Sequence, residues 1–237
     1  MKALVLAAGK GQRLQPLTDH RPKPMVSVAG KPLLERIVLQ LRDAGISELF
    51  INLHHCPEAV RRHFGEGTCF GIHIGYSYEP ELLGTAGAAK KLESCFQDSF
   101  MVYYGDNYVE IDLMDMIAFH REKKGIGTIA VFEATETFAS GVVEQNTQSQ
   151  IQRFFEKPAP GTTASRLVNA GIYVLEPAIF QFIPPDAPSD FGRDLFPAIL
   201  AKGKTLYAYP LSGKVIGIDT PASLSKLESY LSGKTLS

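Results

Sequence analysis

Leu6-Ala-Ala-Gly-Lys-Gly-Gln-Arg-Leu-Gln-Pro-Leu-Thr18 lies near the start of the chain and is followed almost at once by Arg21-Pro-Lys-Pro-Met25. The run leading into it, residues 3–8, is apolar on both faces, as expected of a strand in a sheet covered by helices. It passes into Gly9-x-Gly11-x-x-Leu14. Glycines here let the backbone turn tightly and approach an anion, and N–H groups can cradle phosphate. Leu14 stands where a dinucleotide-binding fingerprint has its third glycine. No Gly-Lys-Ser/Thr follows at the spacing of a P-loop. Instead Arg13 and Lys23 bracket the loop, two cations placed to meet a polyphosphate.

Outward from this loop, apolar runs alternate with amphipathic ones. Strands are expected at 49–54, 72–78, 100–104 and 127–132, with helices at 32–44, 57–64, 85–95 and 113–124. This is the α/β pattern, a Rossmann-like, mostly parallel sheet flanked by helices. After about Glu133 the texture becomes β-rich. Residues 141–145 and 151–155 flank the polar turn 146–150 as a hairpin. A strand is expected at 168–175, helices at 177–182 and 194–201, strands near 206–209 and 215–218, and a last helix from Pro221. The Pro/Ser/Asp stretch 183–190 reads as a loop. No repeat of 20–50 residues is present. One domain over 1–237 is expected, with a nucleotide-type part over about 1–133 and a β-rich part over about 134–237 that closes on it.

The 237 residues are 45% hydrophobic and 21% charged, ordinary for a globular protein with a sizeable core. A net charge of −1 gives no whole-chain case for nucleic acid or an anionic membrane. No run of about 18 apolar residues offers a membrane span. Cys56, Cys69 and Cys95 are an odd set without Cys-x-x-Cys. That speaks against a disulfide scaffold or a zinc ribbon and fits a reducing cytoplasm. No signal-peptide pattern opens the chain, so a cytoplasmic location is expected. Within residues 1–36, Lys2, Lys10, Arg13, Arg21, Lys23, Lys31 and Arg36 face only Asp19 and Glu35. Such an excess points to one local anion site; the other reading is a solvated basic face.

The full string Gly9-x-Gly11-x-Arg13-Leu14-x-Pro16-Leu17-Thr18, with Pro22-Lys23-Pro24-Met25, resembles the signature of the sugar-1-phosphate nucleotidyltransferases. That family makes nucleoside-diphosphate sugars from a nucleoside triphosphate and a sugar 1-phosphate. Leu83-Gly-Thr-Ala-Gly87 is similar to its base-and-sugar loop, and Gly105-Asp106 to its metal aspartate. Gly141-Val-Val-Glu144, Glu156-Lys-Pro158 and Asn169-Ala-Gly-Ile-Tyr173 resemble its sugar-pocket motifs, in the family's order and spacing. The resemblance implies a nucleotide-diphospho-sugar transferase-like fold with a sugar-binding C-terminal portion. It implies nucleotide contacts from Leu6, Ala8, Gly9, Gly11, Arg13, Lys23, Glu79, Gly84 and Thr85, with Arg13, Lys23 and Asp106 catalytic. It implies a sugar-phosphate site of Gly141, Glu156, Lys157 and Asn169. The partners implied are the two substrates, without nucleic acid or membrane; oligomeric state stays open, a homo-oligomer included.

The cofactor implied is Mg²⁺. Asp106 ends the run Phe100–Tyr104-Gly-Asp, and ligands of open α/β sheets bind outside the carboxyl ends of strands. A carboxylate there suits Mg²⁺, which takes one or two carboxylates plus phosphate oxygens and water. The family usually carries a late Trp-x-Asp-x-Gly before Thr-Pro. This chain has no Trp and reads Val215-Ile-Gly-Ile-Asp219-Thr-Pro221, with Gly217 where the usual Asp would be. Asp219 keeps the same strand face, displaced by ~7 Å of chain rise unless the backbone adjusts. Its two readings are second metal ligand and N-cap of the helix from Pro221. Asp112 is the expected N-cap of the preceding helix, and Asp115 a surface residue.

Glu79 is the candidate base reader. A carboxylate is acceptor-only and can take guanine N1–H and N2–H together, whereas a surface Glu is the plain alternative. Leu83–Gly87 resembles the guanylyl branch and Asp219-Thr220 the cytidylyl branch. Guanylyl transfer to mannose or heptose 1-phosphate is the leading expectation. The alternatives are cytidylyl, uridylyl or thymidylyl transfer, or a non-catalytic nucleotide-sugar-binding regulator. His54-His55-Cys56 reads as a polar strand end, because adjacent strand residues point to opposite faces.

Overall fold

The computed structural model describes residues 1–185 and 187–235, the last two by their backbone alone. In chain order the first elements are β1 (Lys2–Leu6), β2 (Ser27–Val28), β3 (Lys31–Pro32), α1 (Leu33–Asp43), β4 (Glu48–Leu53), α2 (Pro57–Phe64), β5 (His73–Tyr78), α3 (Gly84–Lys91), β6 (Phe100–Tyr104) and β7 (Asn107–Val109). Then come α4 (Leu113–Lys123), β8 (Gly127–Glu133), β9 (Gly141–Gln145), β10 (Ile151–Glu156), β11 (Leu167–Leu175), α5 (Phe196–Ala201), β12 (Leu206–Pro210), β13 (Val215–Gly217) and α6 (Pro221–Thr235). By compactness the chain forms two units. One gathers Met1–Leu82, Tyr103–Glu110 and the segment from Lys214 onward; the other holds Leu83–Val102 and Ile111–Gly213.

The first unit is α/β with a parallel core. β1 pairs with β4 from Lys2↔Glu48 to Leu6↔Asn52, and β4 with β5 from Glu48↔His73 to Leu53↔Tyr78. Ala3, Leu4 and Val5 of β1 are all buried, so both faces of this strand are covered, as its sequence predicts. α1 buries Leu33, Leu34, Ile37, Val38 and Leu41, the spacing of a single helical face. The glycine loop after β1 does not open an α-helix. Through residue 26 it contains only single turns at Gln12–Leu14 and Lys23–Met25, and buried Leu14 anchors the first.

Two short ribbons were not expected from the sequence: β2 with β3, and β7 with β13. β13 falls on the strand expected near 215–218, whereas β2, β3 and β7 are two or three residues long, too short to show the alternation that marks a strand. In the second ribbon Val109 faces Val215, Tyr108 faces Ile216 and Asn107 faces Gly217. The Ile218 N–H extends the pairing by donating to the Asp106 carbonyl at 3.0 Å.

The second unit carries the β-rich texture. β8 runs antiparallel to β11 and parallel to β12, and β9–β10 is a hairpin around residues 146–150. α4 is capped by Asp112, whose side chain accepts from Asp115 N. Two expected helices are shorter. The helix over 85–95 stops at Lys91, and a separate turn covers Glu93–Cys95. The one over 194–201 is regular only from Phe196, after a wide turn at Phe191–Leu195. Pro197 has no N–H to donate. The stretch Pro177–Phe182 is a tighter, 3₁₀ helix. Phe154, Tyr173, Phe191 and Phe196 pack ring against ring at 5.0–5.7 Å in this unit's core.

Candidate active site

The loop after β1 is built around Gly11. Its φ is +64°, and a Cβ there would lie 2.9 Å from both Lys23 Cβ and Thr18 Cγ2. Only glycine takes that conformation without strain. Buried Thr18 locks the turn by donating its hydroxyl to the Gly11 carbonyl at 2.9 Å. Gly9 differs, since nothing lies within 4 Å of where its Cβ would be. Its side is open for a ligand to approach the backbone. Leu6 lends its carbonyl to Gly105 N at 2.9 Å, and Ala8 is buried.

Lys23 is held deep in this unit, its side chain 9% exposed. Its ammonium donates to Asp106 Oδ2 at 2.7 Å and to Asp219 Oδ1 at 2.5 Å. Arg13 donates to the same Asp219 oxygen at 2.8 Å from a largely exposed side chain. Burial alone would pull the Lys23 pKa down, but Asp106 and Asp219 outweigh it and hold the group above its ordinary 10.5. Two cations and two carboxylates, predicted separately from the sequence, therefore meet in one cluster of balanced formal charge.

The backbone adjusts before Asp219, so the strand rise of ~7 Å does not set where its carboxylate lies. β13 ends at Gly217, and the chain leaves the strand before residue 219. The carboxylate turns back, bringing Oδ2 to 3.4 Å from where a Cβ on Gly217 would stand. Nor is Asp219 the N-cap of α6. Thr220 has that place: Ser223 N–H donates to its hydroxyl at 3.2 Å, and Thr220 N–H donates to Ser223 Oγ at 3.0 Å. Asp219 is thereby left to the charge cluster.

Glu79 is no surface residue: it is 1% exposed. Its Oε1 accepts from Asn52 Nδ2 at 2.8 Å, and Asn52 Oδ1 accepts from Ala7 N–H at 2.7 Å. A buried polar relay thus crosses the carboxyl ends of β5, β4 and β1. Asn52 was not singled out in the sequence, although an amide within a strand otherwise apolar on both faces was the available signal.

The remaining predicted residues lie in the second unit. Gly84 and Thr85 open α3, but the chain itself occupies several of that helix's free donors. Asp190 Oδ1 accepts from Thr85 N–H and hydroxyl at 3.2 Å each. The Ser189 carbonyl accepts from Ala86 and Gly87 N–H at 2.8 and 3.0 Å. A Cβ on Gly84 would fall 2.5 Å from that carbonyl. The Leu83–Gly87 motif is thus clasped by the loop at 189–191, which sequence reasoning passed over as part of an irregular stretch.

Gly141 faces Glu156 across the β9–β10 hairpin. A Cβ on Gly141 would meet the Phe154 ring at 2.6 Å and Glu156 Oε2 at 3.1 Å, and one on Gly192 would meet Oε2 at 2.4 Å. A side chain at 141 would therefore collide with Phe154 and Glu156, and Gly192 is a second glycine required by that carboxylate. Partial burial raises the Glu156 pKa above its usual 4.5, and Asp190 adds to the rise, while Lys157 and Arg193 pull against it. Exposed Lys157 sits at φ +49°, its N–H donating to Ser140 O at 3.1 Å. Asn169 holds a bulge in β11: Oδ1 accepts from Gly171 N–H at 2.9 Å and Nδ2 donates to the Tyr173 hydroxyl at 2.7 Å.

His54 and His55 each contact a backbone carbonyl, of Glu79 and Thr18 respectively, at 2.8 Å. Among the described residues no group of three or more His, Cys, Asp or Glu stands ready for a metal, and no helix is long and apolar enough to cross a membrane.

The sequence model of the nucleotidyl transferase family matches residues 2–224. This chain belongs to that family. Within it, the UTP–glucose-1-phosphate uridylyltransferase of Synechocystis is 37% identical over 222 residues, covering 88% of this chain and 57% of that protein. The mannose-1-phosphate guanyltransferase beta-A of Xenopus laevis is 36% identical over 226 residues, covering 93% and 62%. This nucleotidyl transferase chain therefore spans about three-fifths of the length of those two curated relatives. A UDP-glucose pyrophosphorylase from Acinetobacter baumanii superposes with a TM-score of 0.83 at 22% identity, covering 97% of this chain and 92% of that one. That likeness is one of fold, the mixed sheet with flanking helices of the nucleotide-diphospho-sugar transferases.

Proposed function

We propose that this chain transfers a nucleotidyl group from a nucleoside triphosphate to a sugar 1-phosphate, releasing pyrophosphate. The observation that carries this reading is the cluster of Arg13, Lys23, Asp106 and Asp219. A sugar-phosphate oxygen is already anionic at neutral pH and needs no activated side-chain nucleophile. It forms a bond to the α-phosphorus as the bond from that phosphorus to the pyrophosphate oxygen breaks. The obstacle is the meeting of two polyanions. Arg13 and Lys23 offset charge on the triphosphate and on the leaving pyrophosphate, and Lys157 holds the sugar phosphate as a point charge. Positioning the two substrates supplies up to ~7–11 kcal/mol of barrier reduction. We assign nucleotide recognition mainly to the part up to about residue 133 and sugar recognition to Gly141, Glu156, Lys157 and Asn169 beyond it.

Asp106 and Asp219 present hard carboxylate oxygens to one point, where the Lys23 ammonium now stands as a cation. That donor set fits Mg²⁺, which takes one or two carboxylates with phosphate oxygens and water. When bound there, the ion would supply charge neutralisation on phosphate oxygens. For the base we assign guanine, on the buried Glu79 carboxylate oriented by Asn52. The 37% identity to a protein named as a uridylyltransferase favours UTP as the second reading.

Pyrophosphate release with Mg²⁺, measured across five triphosphates and a panel of sugar 1-phosphates, tests the proposal. GTP with mannose or heptose 1-phosphate is the expected productive pair. UTP with glucose 1-phosphate would overturn the base assignment and keep the reaction class. Silence everywhere, with nucleotide sugars still bound by folded protein, would replace the enzyme with a non-catalytic binder.

A further inference from the structure

Asp106 and Asp219 leave the same end of the β7–β13 ribbon. Asp106 immediately precedes β7, and Asp219 follows β13 by two residues. The ribbon has only three residues per strand, and its register decides whether the two carboxylates can share one ammonium. A slip of one residue would move one strand by about 3.4 Å and turn its side chains to the other face. So short a ladder needs an outside constraint to hold register.

Glu110 supplies it at the opposite end. Its N–H donates to the Lys214 carbonyl at 2.9 Å, and its Oε2 accepts from Lys214 N–H at 3.2 Å. One residue thereby closes the ribbon through both backbone and side chain. The same carboxylate accepts from the Tyr230 hydroxyl, 2.8 Å from each oxygen, and from the Tyr108 hydroxyl at 3.3 Å. The Tyr108 and Tyr230 rings pack edge-on, 6.3 Å between centroids. Tyr230 lies on α6, which begins two residues after Asp219. Glu110 therefore fixes the chain on both sides of Asp219, through Lys214 before it and Tyr230 after it.

We propose that Glu110, with Tyr230, is a positioning residue that sets the separation of the Asp106 and Asp219 carboxylates and so the cation affinity of the site. Its part is played through the ribbon register. The proposal rests on the reading of Asp106 and Asp219 as cation ligands.

The test is Mn²⁺ binding to the whole chain, followed by water-proton relaxation, beside steady-state pyrophosphate release and thermal melting. Groups that orient metal ligands are worth about 10–100-fold in metal affinity. Glu110→Ala is expected to weaken Mn²⁺ binding by that factor and to lower kcat with little change in KM for the sugar phosphate. Glu110→Gln keeps the shape and an acceptor for Lys214 N–H, and is expected to recover most of both. Tyr230→Phe removes one hydroxyl, is expected to weaken Mn²⁺ binding in the same direction, and carries the test if the alanine variant does not fold. Tyr209→Phe, which breaks a contact with Asp115 in the other unit, serves as the control and is expected to bind Mn²⁺ like wild type. Lower melting temperatures with Mn²⁺ affinity within about twofold of wild type would reduce Glu110 to a structural latch, and wild type that fails to bind Mn²⁺ would overturn the cation-ligand reading and this inference with it. Wild type whose Mn²⁺ affinity depends on Glu110 yet which never releases pyrophosphate would instead sink the proposed reaction and leave this inference standing.

Discussion

The Asp219 carboxylate folds back beside Gly217, with Oδ2 3.4 Å from the point at which a Cβ on residue 217 would stand. A side chain at 217 and the carboxylate at 219 therefore draw on the same space. The ending Gly217-Ile-Asp219 leaves that space to the acid at 219.

Asp219→Gly is expected to lower turnover on the order of 10²–10³-fold, the scale of one preorganised electrostatic group. Moving the acid, as Gly217→Asp with Asp219→Gly, is expected to recover about tenfold or more of that loss. Pyrophosphate release by the three proteins decides it. A double variant no better than Asp219→Gly would mean that the backbone at 217 aims a side chain away from Lys23.

Lys23→Ala and Asp106→Ala are each expected to lose turnover on the order of 10²–10³-fold while remaining folded. Kinetics beside circular dichroism would show it. Unchanged turnover in either variant would strip that residue of its role.

Gly11 and Gly9 are expected to behave oppositely. Gly11→Ala forces a left-handed φ on alanine and pushes its Cβ to 2.9 Å from Lys23 and Thr18, a cost of about 1–3 kcal/mol. Gly9→Ala meets nothing within 4 Å and is expected to stay within about 0.5 kcal/mol of wild type. Urea unfolding measures both. Equal stabilities would show that the loop relaxes around a side chain at 11.

Glu156 gives a pH dependence whose sign follows from its raised pKa. Between the ordinary value of 4.5 and the raised one, the folded chain binds more protons here than the unfolded chain. Stability from this group therefore falls as pH rises through that window. Glu156→Gln has no such proton. Its urea midpoint is expected to gain on wild type as pH climbs from 4 toward neutrality, and a gap that is flat or reversed would contradict the assignment.

Much of this was legible in the sequence, for identifiable reasons. β1 and β4 are short runs apolar on both faces and α1 keeps one apolar helical face, so burial and propensity agree. Arg13 and Asp106 stand beside glycines that follow strands, and Lys23 stands between two prolines, so each leaves a local trace in the sequence. Asp190 leaves none, because its partner Thr85 lies 105 positions away. β7 is too short for any periodicity to register, so the pairing of the expected strand near 215–218 left no sign. The orientation of Asp219 depends on the missing side chain at 217 and on Thr220 taking the cap, contacts that no spacing rule contains. Gly141 also answers to a packing constraint that its motif did not reveal, the closeness of Phe154 and Glu156.

The first unit is assembled from three stretches far apart in the chain, and its charge cluster takes members from each. Lys23 meets Asp106 across 83 positions and Asp219 across 196. During synthesis, which delivers the N-terminal end first, both cations emerge long before the last acid. A growing chain thus carries the Arg13 and Lys23 cations well before both of their carboxylates are present. Charge neutrality at the cluster waits for residue 219 to emerge.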